Sequence, residues 1–339
     1  MRRALVKPDH VGDLILSQPA IQALIDSNEI DSLFVNSRNT ILAEYLFPDL
    51  EIQVINFPHL SRVNPRNGSV DLTALTPYDE VIFLRKDHIL NENLFGDLLK
   101  KVVFIGNDGS HISNSQRSTL NSQYALEYNI FEKWKGEFKP WPKTFKEVCF
   151  SIGSGFPTNR WPTESWSQLG RLLRNVGTEK ITIMFGNQEI PQAENLRKKL
   201  LKNFKVEMLN GQEKTFRQIS EVFETITLTI GSDGGSNHIA SLFGPNLTLF
   251  TSSPANVWAP IGLSNRSCTL ALTCVSQCLN FHEKALNSCL TRECSYALEP
   301  EMVLSSLILD SEELLAQPKY QTLNSVEYRT HKNTDWIPI

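Results

Sequence analysis

Ten short runs of β-branched and aromatic residues, separated by longer stretches of helical pattern, constrain this chain more than any other feature. Such alternation builds parallel sheets covered by helices on both faces. Before residue 140 the runs are Ala4–Val6, Leu33–Val35, Gln53–Ile55, Val81–Leu84 and Val102–Ile105. After it they are Val148–Ile152, Ile181–Phe185, Val206–Leu209, Leu228–Ile230 and Leu247–Phe250. Between the two sets lies Lys135–Lys143, whose Pro140 and Pro142 and mixed charge read as an interdomain linker. The 339 residues suffice for two domains with separate cores. The expected organisation is α/β throughout: a Rossmann-like domain over residues 1–140, a second over 146–310, and a polar tail over 311–339 with a short helix near Glu312–Ala316.

The clearest helical segments are Gln116–Lys133, Glu164–Val176 with Thr163 as N-cap, and Gln192–Asn203. The turn residues of Arg62–Ser69 predict a loop, read as a tolerated connection or as a flap facing an acceptor. Hydrophobic residues at 41% and charged residues at 21% exclude collagen-like, coiled-coil and wholly disordered chains. A net charge of −4 supplies no global basic field, so no nucleic-acid partner is expected. After Met1-Arg2-Arg3 comes only a strand-like Ala4-Leu5-Val6, too short for a signal-peptide core, and no apolar run reaches the length of a membrane-spanning helix. The expectation is a cytoplasmic protein without a transmembrane segment.

Open α/β sheets bind ligands at the carboxyl ends of their strands, so three post-strand loops matter most. The first, Lys7–Ile15, contains His10, Gly12 and Asp13, with Asp13 near a helix start. A carboxylate there either caps backbone N–H groups or faces a cleft as a general base. The second, Gly153–Pro162, contains Ser154, Gly155, Asn159 and Arg160. Its glycines allow close approach of an anion and Arg160 offers a fork of donors, although Gly-Ser-Gly turns also occur without ligands. The third, Ile230–Gly244, contains Asp233, Gly234, Gly235 and His238, again strand, glycine loop and helix. Its spacing is not that of a dinucleotide fingerprint, but glycines beside a helix start suit a phosphate.

Six cysteines are unevenly spread. Cys149 stands alone, whereas Cys268, Cys274, Cys278, Cys289 and Cys294 crowd one late segment together with His282. In a reducing compartment this reads either as free thiols or as a structural zinc or iron site built on Cys274, Cys278, Cys289 and Cys294.

In order and spacing, three groups of residues resemble glycosyltransferase family 9, the bacterial ADP-heptose lipopolysaccharide heptosyltransferases. They are His10-Val11-Gly12-Asp13 with Pro19, Arg160-Trp161-Pro162 with Trp166, and Asp233-x-Gly235-x-x-His238 with Pro254 and Trp258-x-Pro260. The resemblance covers nearly the whole chain. It implies a GT-B fold, two facing Rossmann-like doubly wound domains with a cleft between them, and inverting transfer that needs no metal cofactor. It further implies Asp13 as catalytic base with His10 and Gly12 on the acceptor side. The donor falls to Ser154, Gly155, Asn159, Arg160, Asp233, Gly234, Gly235 and His238. One departure stands out, because Asn159 occupies a place where members commonly carry a basic residue.

The partners so implied are a nucleotide-sugar donor, ADP-heptose first, and a surface-glycan acceptor such as lipopolysaccharide core. A membrane-associated acceptor would put the protein peripherally at the inner membrane. A protein or natural-product acceptor, a sugar-nucleotide epimerase and a non-catalytic sugar-nucleotide-binding protein are the alternatives.

Overall fold

A computed structural model describes residues 1–57, 70–85, 92–106, 111–262, 264–269, 289 and 292–308, with the backbone alone at 92–94. The chain divides into two compact units, Met1–Lys135 and Gly136–Ile339.

The first unit opens with β1 (Arg3–Lys7), α1 (Val11–Leu16), α2 (Gln18–Asp26), β2 (Ser32–Val35), α3 (Thr40–Leu46) and β3 (Glu51–Val54). It continues with β4 (Glu80–Phe83), β5 (Val102–Phe104), α4 (Ile112–Tyr124) and α5 (Ile130–Lys133). All its strand pairs are parallel, in the order β3-β2-β1-β4-β5. Ala4, Leu5 and Val6 of the central β1 are fully buried, as expected of a strand covered on both faces. The edge strand β3 is half exposed. One face of the sheet is closed by an aromatic group in which Phe57, Phe83, Phe95 and Phe104 meet at ring-centroid distances of 5.3–5.9 Å.

The second unit runs β6 (Glu147–Ser151), α6 (Thr163–Asn175), β7 (Lys180–Phe185), α7 (Ile190–Leu200), β8 (Lys205–Asn210) and α8 (Phe216–Thr225). There follow β9 (Leu228–Ser232), α9 (Gly235–Ala240), β10 (Asn246–Phe250), α10 (Ala255–Trp258) and β11 (Asn265–Thr269), then helices Glu293–Tyr296 and Pro300–Ile308. The six strands are again all parallel, in the order β11-β10-β9-β6-β7-β8. Read outward from β6, this is the doubly wound order 3-2-1-4-5-6, and its strand order reverses between β6 and β9. α6 packs Trp166, Leu169 and Leu173 inward on one stripe. Gly170 lets α7 approach, because a Cβ there would sit 2.6 Å from Leu200. α8 begins with a reciprocal capping box between Thr215 and Gln218.

All ten expected strands form, with ends displaced by one or two residues. An eleventh, β11, was not expected, since Asn-Arg-Ser-Cys-Thr has neither apolar alternation nor a β-branched run. The expected helix Gln116–Lys133 is two helices, because Ala125 takes a left-handed φ of 51° after α4. Thr163 is the first helical residue of α6 and not its cap; Pro162 holds the N-cap position and no side chain caps the end. Residues Glu137–Phe145, inside the expected linker or just after it, pack on the second unit. The amide of Glu137 donates to the Leu242 carbonyl at 2.7 Å, Trp141 Nε1 donates to the Leu307 carbonyl at 2.9 Å, and Phe145 is buried. Residues Arg62–Ser69 and the tail beyond 308 lie outside the described residues.

Candidate active site

In the first unit the strand order reverses between β1 and β4, and the loops that leave these strands carry the candidate residues. Lys7 and Asp9 are both buried at the end of β1, and Lys7 Nζ donates to Asp9 Oδ2 at 2.6 Å and to the Leu84 carbonyl at 3.1 Å. Arg85, just beyond β4, pairs with the other oxygen of Asp9. Burial alone would raise the Asp9 carboxyl, but the adjacent Lys7 and Arg85 charges outweigh it and bring it down to about 2. The Asp9 carbonyl meanwhile accepts from the side-chain amides of Asn36 and Asn39 in the loop after β2.

Four residues on, Asp13 lies in the first turn of α1, half-buried. Its carboxylate has no hydrogen-bond partner among the described residues, and the N-cap position belongs to His10, whose side chain makes no capping bond. The cap reading of Asp13 therefore has no geometric support. His10 is exposed and Gly12 is buried. Leu14, Ile15 and Leu16 anchor the other side of α1 in the core, and Ser113 of α4 donates to the Leu16 carbonyl at 2.6 Å.

In the second unit the loops after β6 and β9 meet where the strand order reverses. Contact there is so close that a Cβ on Gly234 would lie 2.7 Å from the Gly153 carbonyl oxygen, so only glycine fits. Ser154 Oγ fastens the two loops by donating to the Asp233 carbonyl at 2.6 Å. Gly235 opens α9, and Gly231 in β9 makes room for the buried Asn237, whose Oδ1 a Cβ would meet at 2.2 Å. The Asp233 carboxylate accepts from Ser253 Oγ at 2.5 Å and from Asn159 Nδ2 at 3.4 Å. His238 is buried with Nε2 3.6 Å from Asp233, beyond hydrogen-bond length, and its Nδ1 has no partner among the described residues. Gly155 follows Ser154 in the same loop.

Arg160 does not stand open as a phosphate fork. Its Nε and Nη2 both donate to the Ser154 carbonyl at 3.1 Å, and Nη2 also meets Gln188 at 3.0 Å and the buried Glu189 at 2.6 Å. Only Nη1 has no partner among the described residues. Asn159 is buried, with its oxygen taken by Ser252 and its nitrogen directed at Asp233. It pins the loops after β6, β9 and β10 together.

Ser252, Ser253 and Glu189 were missed in the sequence. Each follows a strand, in Thr251-Ser-Ser-Pro254 after β10 and Gly186–Glu189 after β7. The signal available was their position at carboxyl ends of strands, which becomes decisive only once the strand order is known. Of the cysteine segment, Cys268 is a core residue of β11 that accepts from Ser306 Oγ at 3.5 Å, its thiol pushed up to about 11 by burial. Cys289 accepts from the Arg292 amide at 3.4 Å and Cys294 is buried in the helix Glu293–Tyr296. Cys274, Cys278 and His282 lie outside the described residues; among those described, no group of three or more His, Cys, Asp or Glu could hold a metal ion. Nor is any described helix long and apolar enough to cross a membrane.

A family model, glycosyltransferase family 9 (heptosyltransferase), matches residues 110–287, just over half of the chain. Among solved structures, E. coli heptosyltransferase WaaC with ADP is similar at a TM-score of 0.57 and 18% identity, over 79% of this chain and 93% of that one. E. coli ADP-heptose lps heptosyltransferase II is similar at 0.57 and 13% identity, over 92% and 100%. A glycosyl transferase family 9 protein from Veillonella parvula is similar at 0.60 and 16% identity, over 90% and 95%. No curated protein matches the chain. At these identities the likeness is one of fold: two parallel-sheet α/β units of the GT-B class.

Proposed function

Because the chain belongs to glycosyltransferase family 9, the heptosyltransferase family, we propose that it transfers a heptose from ADP-heptose to a bacterial glycan acceptor, lipopolysaccharide core first, with inversion and without a metal ion. The observation that carries this reading is the doubly wound second sheet, with the loops after β6 and β9 in contact where its order reverses. Ligands of such sheets bind at that point, and a related structure is described as holding ADP.

On this reading the donor diphosphate lies against the Gly234-Gly235 turn, where backbone N–H groups stabilise the charge that grows on the departing phosphate without reorganising. Ser154 and Gly155 line the same turn from β6. Asp233 acts on loop geometry or on a ribose hydroxyl, since a carboxylate repels phosphate. His238, buried 3.6 Å from Asp233, belongs to the same donor turn. With Asn159 neutral and most of Arg160 engaged by Glu189 and Ser154, Nη1 of Arg160 is the cationic edge left for the donor. Asp13 takes the proton of the attacking acceptor hydroxyl, and His10 and Gly12 flank it on the acceptor side.

Purified protein incubated with ADP-heptose, ADP-glucose and UDP-, GDP- and TDP-sugars tests the donor. ADP-heptose should give the largest thermal shift and be consumed only when acceptor is present. Consumption without acceptor would favour an epimerase, and binding without turnover a non-catalytic role. Turnover that survives EDTA, with an inverted anomeric centre in the product, is the outcome expected for the chemistry.

A further inference from the structure

Asp9 is more than a buried ion-pair partner: the geometry points to Asp9, clamped by Arg85, as a positioning residue that holds the loop before α1 and through it the carboxylate of Asp13. This rests on the reading of Asp13 as catalytic base. Three strands' loops converge on Asp9. From β1 comes Lys7 Nζ at 2.6 Å, from β4 the guanidinium of Arg85, and from the loop after β2 the amides of Asn36 and Asn39 on its carbonyl. Asn36 is itself fixed, its Oδ1 accepting from the amides of Arg38 at 2.9 Å and Asn39 at 3.2 Å.

A two-residue step then leads from β1 into α1, since only Pro8 and Asp9 separate Lys7 from the N-cap residue His10. The rear of α1 is set by buried Leu14, Ile15 and Leu16 and by Ser113. Its front has no side-chain cap. Ser17 Oγ holds the Asp13 carbonyl at 2.8 Å from the far end of the turn, and the Asp9 clamp fixes its entry, leaving the Asp13 carboxylate with no partner of its own among the described residues. A bare core ion pair would need only Lys7, whose ammonium is already neutralised by Asp9. Arg85, with a side chain 18% exposed, adds a tether between the loops that follow β1 and β4.

The informative variant is Arg85→Ala, because it leaves the buried Lys7–Asp9 pair intact, whereas Asp9→Ala would strand the Lys7 charge in the core and endanger folding. At a temperature where Arg85→Ala is fully folded, hydrogen exchange of the Leu14–Ser17 amides should rise by roughly tenfold while β1 and β4 stay protected. With ADP-heptose and a lipopolysaccharide-core acceptor, kcat should fall by roughly 10–100-fold with the ADP-heptose KM unchanged, the pattern of a displaced catalytic group. Arg85→Lys should restore part of both. Unchanged exchange over Leu14–Ser17 overturns the clamp, whether or not the protein turns over a given donor. Exchange that rises while kcat stays at the wild-type value leaves Arg85 a purely structural tether and equally overturns it. Asp13→Asn measured in parallel separates the two readings: near-normal turnover there removes the base, irrespective of what Arg85→Ala does.

Discussion

At the scale of single residues, the half-buried Asp13 carboxylate without a described partner is the group proposed as general base. Asp13→Asn keeps its shape and loses its basicity, so kcat should fall by roughly 10²–10⁴-fold while ADP affinity, measured by calorimetry, persists. Gly234 carries the sharpest steric demand. Gly234→Val would drive a side chain into the Gly153 backbone, part the two loops and raise the Kd for ADP, with secondary structure by circular dichroism retained. An unchanged Kd would remove this turn from the donor site. The glycine loops were legible in the sequence because glycine clusters beside helix starts have a recognisable pattern. That Gly234 is sterically obligatory was not, since this depends on the neighbouring loop from β6, 79 residues away at the Ser154–Asp233 contact. Asp9 went unsingled for the same reason, its partner Arg85 being 76 residues distant. Its carboxyl, held at about 2 against an ordinary 3.8, favours the folded state in its charged form. That contribution is complete above about pH 4 and disappears as pH falls through about 2, and the shift corresponds to about 2 kcal/mol. Urea titrations should therefore show Lys7→Met/Asp9→Leu losing about 2 kcal/mol less than wild type between pH 5 and pH 2. Parallel losses would mean that Asp9 carries no acid-linked stability.

At the scale of elements, the strands that could be read are those buried on both faces, since burial there demands uninterrupted apolar runs. β11 escaped because its strand is polar and its largest buried side chains bond within the unit. Arg266 donates to the Ser306 carbonyl at 3.1 Å and stacks on Trp141 at 3.9 Å, and Asn265 is held by the Ile261 carbonyl. No composition rule marks such a strand before its partners are known. The break between α4 and α5 escaped for a different reason: Ala125 is a strong helix former by propensity, yet it adopts φ 51° and ψ 32°. That conformation is costly for any residue with a Cβ and nearly free for glycine. Ala125→Gly should raise the unfolding free energy by about 0.5–1 kcal/mol, the αL relief exceeding the extra chain entropy of glycine. A destabilised variant in denaturant titration would show that the turn does not keep this conformation in solution.

At the scale of the whole molecule, each unit has a sheet of its own and a hydrophobic cluster drawn from its own residues. Phe34, Phe57 and Phe83 belong to the first, and Phe150, Trp161 and Trp166 to the second. The pairing of Trp161 with Trp166, edge to face at 4.9 Å, lies beneath the loop that bears Asn159 and Arg160, so the loops proposed to hold the donor rest on a core made within the second unit. Residues from Glu137 onward pack onto that unit as well, through Leu242, Ser264 and Leu307. A chain cut at Gly136 would therefore retain the sheet, its covering helices and every residue proposed for the donor from Ser154 to His238, and domains with their own cores fold alone. The fragment Gly136–Ile339 is expected to unfold cooperatively and to gain stability with ADP in proportion to ln(1 + [ADP]/Kd), about 2.7 kcal/mol at a hundredfold excess over Kd. It should bind ADP within a few-fold of the full chain and transfer no sugar, because Asp13 is absent. Failure of a folded fragment to bind ADP would mean that the nucleotide depends on residues before 136, and would transfer part of the donor site to the loops around Asp9 and Asp13.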